Sequence, residues 1–415
     1  MENNIAINNS IYRQAMHWQL AAQRLAKVDN LASQQAWQGV DYGISMILKN
    51  AFNSSIEEVL NLANILIASL TRGNGGSNAF KQLIQLRNKY TRTEETIHYY
   101  TIAINSRTNP SISALLRACD VLCKRSMDEI LKPLGRKSPP VMTYVDKGIG
   151  ASILKAGLRL WDGRISPVAA IKITQHNLYR PTAIVHETGH QVAHILNWAE
   201  GLERAINQNL NSSEEEVRLA YMGWVSEMAA DAFAFVHTGY AAVVALHDVV
   251  SGNVHTVFSY QRHDPHPISY IRVLLNIAMC RLFYGNGPWD NLEASFRVTY
   301  DLEQWHSTDK ETIKKCEIVV EDVVKILLTK PYPCFGNQSL SQLLPPERVS
   351  PKELERLEYL AGPSLYTSHA WITKECLRIL ALSGYRIGST ITNLPALYQQ
   401  EEDWMTRLGF ALELN

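Results

Sequence analysis

The stretch His186-Glu187-Thr188-Gly189-His190 constrains this chain most, because it lies inside a segment that is otherwise strongly apolar. Residues 182 to 185 precede it as Thr-Ala-Ile-Val, and Val192, Ile195 and Leu196 follow. Pro181 suits the first position of a helix, where its missing N–H costs nothing. On such a helix, positions four apart differ by only ~40° around the axis, so both imidazoles face one point. A polar stripe on a buried helix is expensive without a partner. Two neutral histidines at this spacing can chelate one Zn2+ at ~2.0–2.1 Å per nitrogen, leaving room for a third ligand and a water. Glu187 is then placed to take a proton as metal-bound water attacks a carbonyl, and to return it to the leaving amine.

A third ligand should be a carboxylate or imidazole on a neighbouring element. Glu227, in the run WVSEMAADAFA, sits among small and apolar residues where an unpaired carboxylate would be costly. Ala229 and Ala230 permit close helix packing there. Asp231 lies one turn further on and can accept the second ring N–H of a ligand histidine, fixing its tautomer. Ser213 with Glu216 three residues on has the form of a capping box opening this second helix.

H-E-x-x-H followed by E-x-x-x-D on a second helix resembles the gluzincin metallopeptidases with their thermolysin-like arrangement. The resemblance implies His186, His190 and Glu227 as zinc ligands, Glu187 as base, and Asp231 as the residue orienting a ligand histidine. Downstream, His266-Pro267-Ile-Ser-Tyr-Ile-Arg272 is similar to the H-P-x-x-x-x-R pattern of the CAAX-processing and stress-induced membrane gluzincins. That likeness implies a place near the active site for His266 and a structural or substrate-facing one for Arg272. It covers only residues ~169 to 272, and this sequence lacks the transmembrane helices of those relatives. The metzincin pattern fails, since Ala193 and Leu196 stand where its glycine and third histidine belong.

His266 is a candidate for stabilising the oxyanion that forms when hydroxide adds to a carbonyl, or alternatively caps the helix that follows it. Tyr270 and Tyr221 are weaker candidates for the same donor role. His194, four residues beyond His190, is expected to pack or to support a ligand from behind. The strand expected at Ala169 to Ile173, just before the zinc helix, could pair with an extended peptide if it lies at a sheet edge, which favours a peptide substrate.

Elsewhere the apolar residues recur at helical spacing from Ile11 to about Leu134 and again from about Ile268 to the end. Between them VMTYV alternates like a strand after Pro139 and Pro140, Gly148-x-Gly150 marks a turn, and residues 150 to 163 look helical. RGNGGSN, residues 72 to 78, has the composition of a flexible connector. The expected fold is mainly α with a small α+β zincin-like core, a short mixed sheet plus active-site helices, flanked by helical domains. The expected segments are 1–136, 137–272 and 273–415.

Forty Lys and Arg against forty Asp and Glu leave no net charge, so no nucleic-acid footprint or polybasic membrane patch is expected. No leader-like apolar segment opens the chain and no run approaches ~18 apolar residues, so a cytoplasmic protein is expected. Six cysteines are too sparse for a disulfide framework, and Cys119 and Cys123 belong on the buried face of one helix. Together these features predict a zinc metallopeptidase acting on a peptide or protein substrate. A retired zincin-like binding protein and a zinc hydrolase of non-peptide substrates are the alternatives.

Overall fold

Asp41 opens the clearest helix of the N-terminal region by accepting the N–H of Ile44 with its side chain at 3.1 Å. From there Ile44, Leu48, Phe52, Ile56, Val59, Ala63, Leu66 and Leu70 recur every three or four residues and are buried along one face of Tyr42–Thr71. In this computed structural model residues 2–73, 77–210, 214–306 and 309–411 are described. Among the described residues helix accounts for 73%, in 20 helices beside one small three-stranded mixed sheet, which is the mainly α class with a small α+β core.

Chain contacts divide the molecule into two compact units drawn differently from the three expected segments. The first comprises residues 1–113, 139–144 and 154–170. Its core is built from Glu2–Leu25, Tyr42–Thr71 and Ser77–Asn105, with Ala15, Leu48, Phe52, Leu86, Ile97 and Tyr100 buried together. Arg107 is fully buried here and donates from Nη1 to Gly39 O and from Nη2 to Thr143 O. The connector expected at 72 to 78 begins as a helix end with Gly73 at φ 80°, and its residues 74–76 lie outside the described residues.

The second unit comprises residues 114–138, 145–153 and 171–415. The stretch 114 to 131 belongs here because its polar side chains bond C-terminal backbone: Arg117 Nε donates to Gly409 O and Arg125 Nη2 to Thr373 O. Cys119 and Cys123 are fully buried on this helix, and all six cysteines are free thiols. Among the described residues no helix is long and apolar enough to cross a membrane.

The strands are β1 (Val141–Val145), β2 (Ser152–Leu154) and β3 (Ala169–Ile173), in the order β1-β3-β2. Bonds from Ala169 N to Pro140 O and from Asp146 N to Ile173 O run β1 and β3 in the same direction. β3 is therefore the central strand, which corrects the expectation of an edge there: its backbone is already paired on both sides. The helix expected over 150 to 163 is also corrected. Those residues form β2 and a tight hairpin, with Arg159 bridged to Ile165. Gly157 and Gly163 take φ of 89° and 86°, a left-handed backbone that a helix does not admit.

Candidate metal centre

The motif helix spans Ala183–Leu196, two residues after Pro181, whose carbonyl accepts the N–H of Ile184. It ends at Asn197, which adopts the left-handed cap conformation at φ 51°. The second helix of the site, Val225–Thr238, is buried at every position but Ser226. A short break at Trp224 separates it from Glu215–Gly223, whose N-cap is Glu214. Ser213, expected in the capping box, lies outside the described residues.

Gly189 sets how closely the two helices approach. A Cβ at this position would lie 2.8 Å from Ala230 Cα and 3.0 Å from Phe233 Cβ, so the helices meet backbone to backbone. The unspecified fourth residue of the motif is thus fixed by packing. Thr188, beside it, donates to Val185 O and pairs with Ser126 Oγ at 2.8 Å.

This approach gathers His186, His190 and Glu227, whose donor atoms all lie within 4.8 Å of one another. His186 Nε2 is 3.3 Å from Glu227 Oε2, and His190 Nε2 is 3.2 Å from Glu227 Oε1. Donors bound tetrahedrally at ~2.0–2.1 Å stand about 3.3 Å apart, a spacing each imidazole already has, but to a different oxygen of Glu227, so a small rotation of that carboxylate would be needed to bring one oxygen to both. The remaining ring nitrogens are held from behind. His186 Nδ1 is 2.8 Å from Asp231 Oδ1, which fixes the proton on Nδ1, and His190 Nδ1 lies 3.3 Å from Ser226 Oγ. The three residues could hold one metal ion.

Arg272, on Ser269–Tyr284, is buried against both acids. Its Nε and Nη2 donate to Asp231 at 2.7 and 2.8 Å, and Nη2 also lies 3.0 Å from Glu227 Oε2. Asn276, one turn further along, adds a bond from Nδ2 to Asp231 Oδ2 at 3.3 Å. Ser226 carries no sequence signal of its own; Asn276, flanked by Leu275 and Ile277, is a polar residue in an apolar run and could have been tied to the site by following the face of Arg272 one turn on.

The charges follow from these contacts. Burial works against protonating His186, but the hydrogen bond and charge of Asp231, helped by Glu227, outweigh it and push its pKa up to about 10. Burial lowers that of His190, with repulsion from His186 adding to it against the pull of Glu227. Burial would raise Glu227 and Asp231, yet the histidine bonds and the Arg272 guanidinium hold both well below the usual carboxylate range.

Glu187 is buried on the motif helix immediately after His186. His266 is exposed, with Nε2 3.8 Å from Glu227 Oε1, and Asp264 Oδ1 accepts both its backbone N–H at 2.9 Å and its Nδ1 at 2.8 Å. The helix that follows starts at an Ile268 N-cap with no side-chain bond, so His266 does not cap it. His194 is exposed rather than packed, since it falls on the outer side of the last turn. Tyr221 and Tyr270 are engaged elsewhere: the first donates to Cys316 O, and the second accepts from Arg297 Nη1. Their rings are core residues, which removes them as donors at the site.

No family model, curated protein or solved structure matches this chain.

Proposed function

We propose that this protein is a zinc-dependent peptidase of gluzincin type. The observation that carries the proposal is the pair of Nε2 to carboxylate distances, 3.3 and 3.2 Å, on opposite oxygens of one buried glutamate, with the Nδ1 of His186 held by Asp231. Two imidazoles and one carboxylate are the donor set of catalytic zinc sites that keep a position open. His186, His190 and Glu227 would hold the ion; Asp231 keeps the first imidazole in the tautomer that offers Nε2; Arg272 and Asn276 keep Asp231 in place. When bound, zinc supplies Lewis-acid polarisation of a carbonyl and lowers the pKa of water toward ~7.

Glu187 takes the proton of the attacking water and delivers it to the leaving amine. His266, steered by Asp264 and open to solvent on the Glu227 side, is the donor available to a substrate oxygen. The peptide substrate class rests on the likeness of the H-E-x-x-H and E-x-x-x-D pattern to peptidases, because the central position of β3 removes that strand as an edge for peptide pairing.

Zinc-loaded protein incubated with a complex peptide library, with new termini identified by mass spectrometry, tests the proposal. Cleavage is expected from the native protein, and Glu187→Gln is expected to retain zinc while losing ~10²–10⁴-fold in rate. Cleavage unchanged by Glu187→Gln would remove the general-base assignment. No cleavage by either zinc-loaded protein would remove general peptidase activity and leave a non-peptide hydrolase or a binding protein.

A further inference from the structure

The first unit holds a cavity of about 350 Å³, apart from the metal centre and within the range that suits a small ligand. Three segments of that unit line it, Tyr42–Thr71, Ser77–Asn105 and the hairpin over residues 157 to 167, and it opens to solvent past the exposed Arg159 and Ile165. Ala51, Phe52, Ile97, Leu160, Ile165 and Pro167 give it an apolar wall.

Its polar groups are unevenly spent. The Tyr100 hydroxyl bonds Val168 O and Ser166 Oγ, the Thr96 hydroxyl donates to Arg92 O, and the Ser55 hydroxyl donates to Asp162 Oδ2. Asp162 Oδ1 takes the backbone N–H of Arg164 at 3.0 Å, so both oxygens of the carboxylate in the wall serve to pin the hairpin. Arg164 reaches Glu58 and Ser54 O through Nη2, while its buried Nε has no hydrogen-bond partner. Arg159 is exposed and donates from Nη1 to Gly163 O at 3.0 Å, using one of the five donors of its guanidinium. Arg164 is already ion-paired with Glu58, and hydrogen bonding leaves the negative charge of Asp162 in place, so the surplus donors and charge of the wall lie on exposed Arg159. An anion suits that surplus, and an apolar body suits the walls.

We propose that this cavity binds a small amphipathic organic acid, its carboxylate on Arg159 and its hydrocarbon or aromatic portion against Ala51, Ile165 and Pro167. A binding site of this kind stands independently of the peptidase reading, because none of its residues belongs to the metal centre.

Calorimetric titration of the full chain with 4-phenylbutyrate, 4-phenylbutan-1-ol and acetate tests the proposal. The acid should bind at a single site with a Kd between about 10 µM and 1 mM. The alcohol should bind at least tenfold more weakly, and acetate without saturation. Arg159→Gln should weaken phenylbutyrate tenfold or more, as expected for loss of a charged hydrogen bond. Arg159→Lys, which keeps the charge but loses the planar fork, should recover part of the loss. Ala51→Leu, which fills the cavity and leaves both arginines, should abolish binding, with melting curves showing that each variant is folded. Glu187→Gln and chelator-treated protein should bind like the native chain. Equal affinity for acid and alcohol, binding untouched by the Arg159 and Ala51 substitutions, or no saturable binding of phenylbutyrate would each overturn it.

Discussion

At the scale of single residues, His186 is the group whose protonation governs the site. Asp231 and Glu227 push its pKa up to about 10, so near neutral pH the metal-free protein carries a proton that a metal ion must displace. Metal affinity should therefore rise about tenfold per pH unit between pH 7 and 9 and level off above about 10. Competition against a chromophoric chelator across that range measures the slope. Asp231→Asn should flatten it, because the raised pKa depends first on that carboxylate among the groups that favour protonation. For the metal-free fold the sign is opposite: the stability contributed by the His186 contacts is full below the ordinary value of 6.5 and is lost as the pH rises through about 10. Of these residues the sequence made visible His186, His190, Glu227 and Asp231, since each is a polar group stranded in an apolar helix. The structure brings them together. Ser226 stayed hidden because a hydroxyl at a helix start is unremarkable without its partner, and Asn276, a polar group in the apolar middle of Ser269–Tyr284, was passed over although it carries the same kind of signal.

At the scale of elements, the site depends on how closely two helices approach, and Gly189 decides that. Gly189→Ala places a methyl 2.8 Å from the Ala230 backbone, which can be relieved only by separating the helices. Overpacking of this kind costs about 1–3 kcal/mol, and it draws both histidines away from Glu227. A lowered melting temperature together with weakened zinc binding is expected, measured by calorimetry and chelator competition. Unchanged values of both would mean that the helices are not in backbone contact. The main helices were legible because apolar residues recur every three or four positions, as in Tyr42–Thr71. The stretch 150 to 163 misled because Ile153, Ala156 and Leu160 share that spacing by coincidence, while left-handed Gly157 and Gly163 turn the chain into a hairpin. The central place of β3 was illegible for another reason: strand order depends on partners distant in sequence, and a five-residue strand such as AAIKI looks alike at an edge and in the middle.

At the scale of the whole molecule, residues from three separate stretches, 186 to 190, 227 to 231 and 272 to 276, meet within the second unit and form one buried, charge-matched cluster. Such a cluster is expensive to assemble unless its charges are paired or a metal completes it. We propose that this assembly binds one metal ion through His186, His190 and Glu227. Zinc content per chain, determined by elemental mass spectrometry after loading and desalting, tests it most directly. One zinc per chain is expected in the native protein and in Glu187→Gln, with occupancy falling to near zero in Glu227→Ala. Full occupancy in folded Glu227→Ala, or no zinc in the native protein, would contradict the claim.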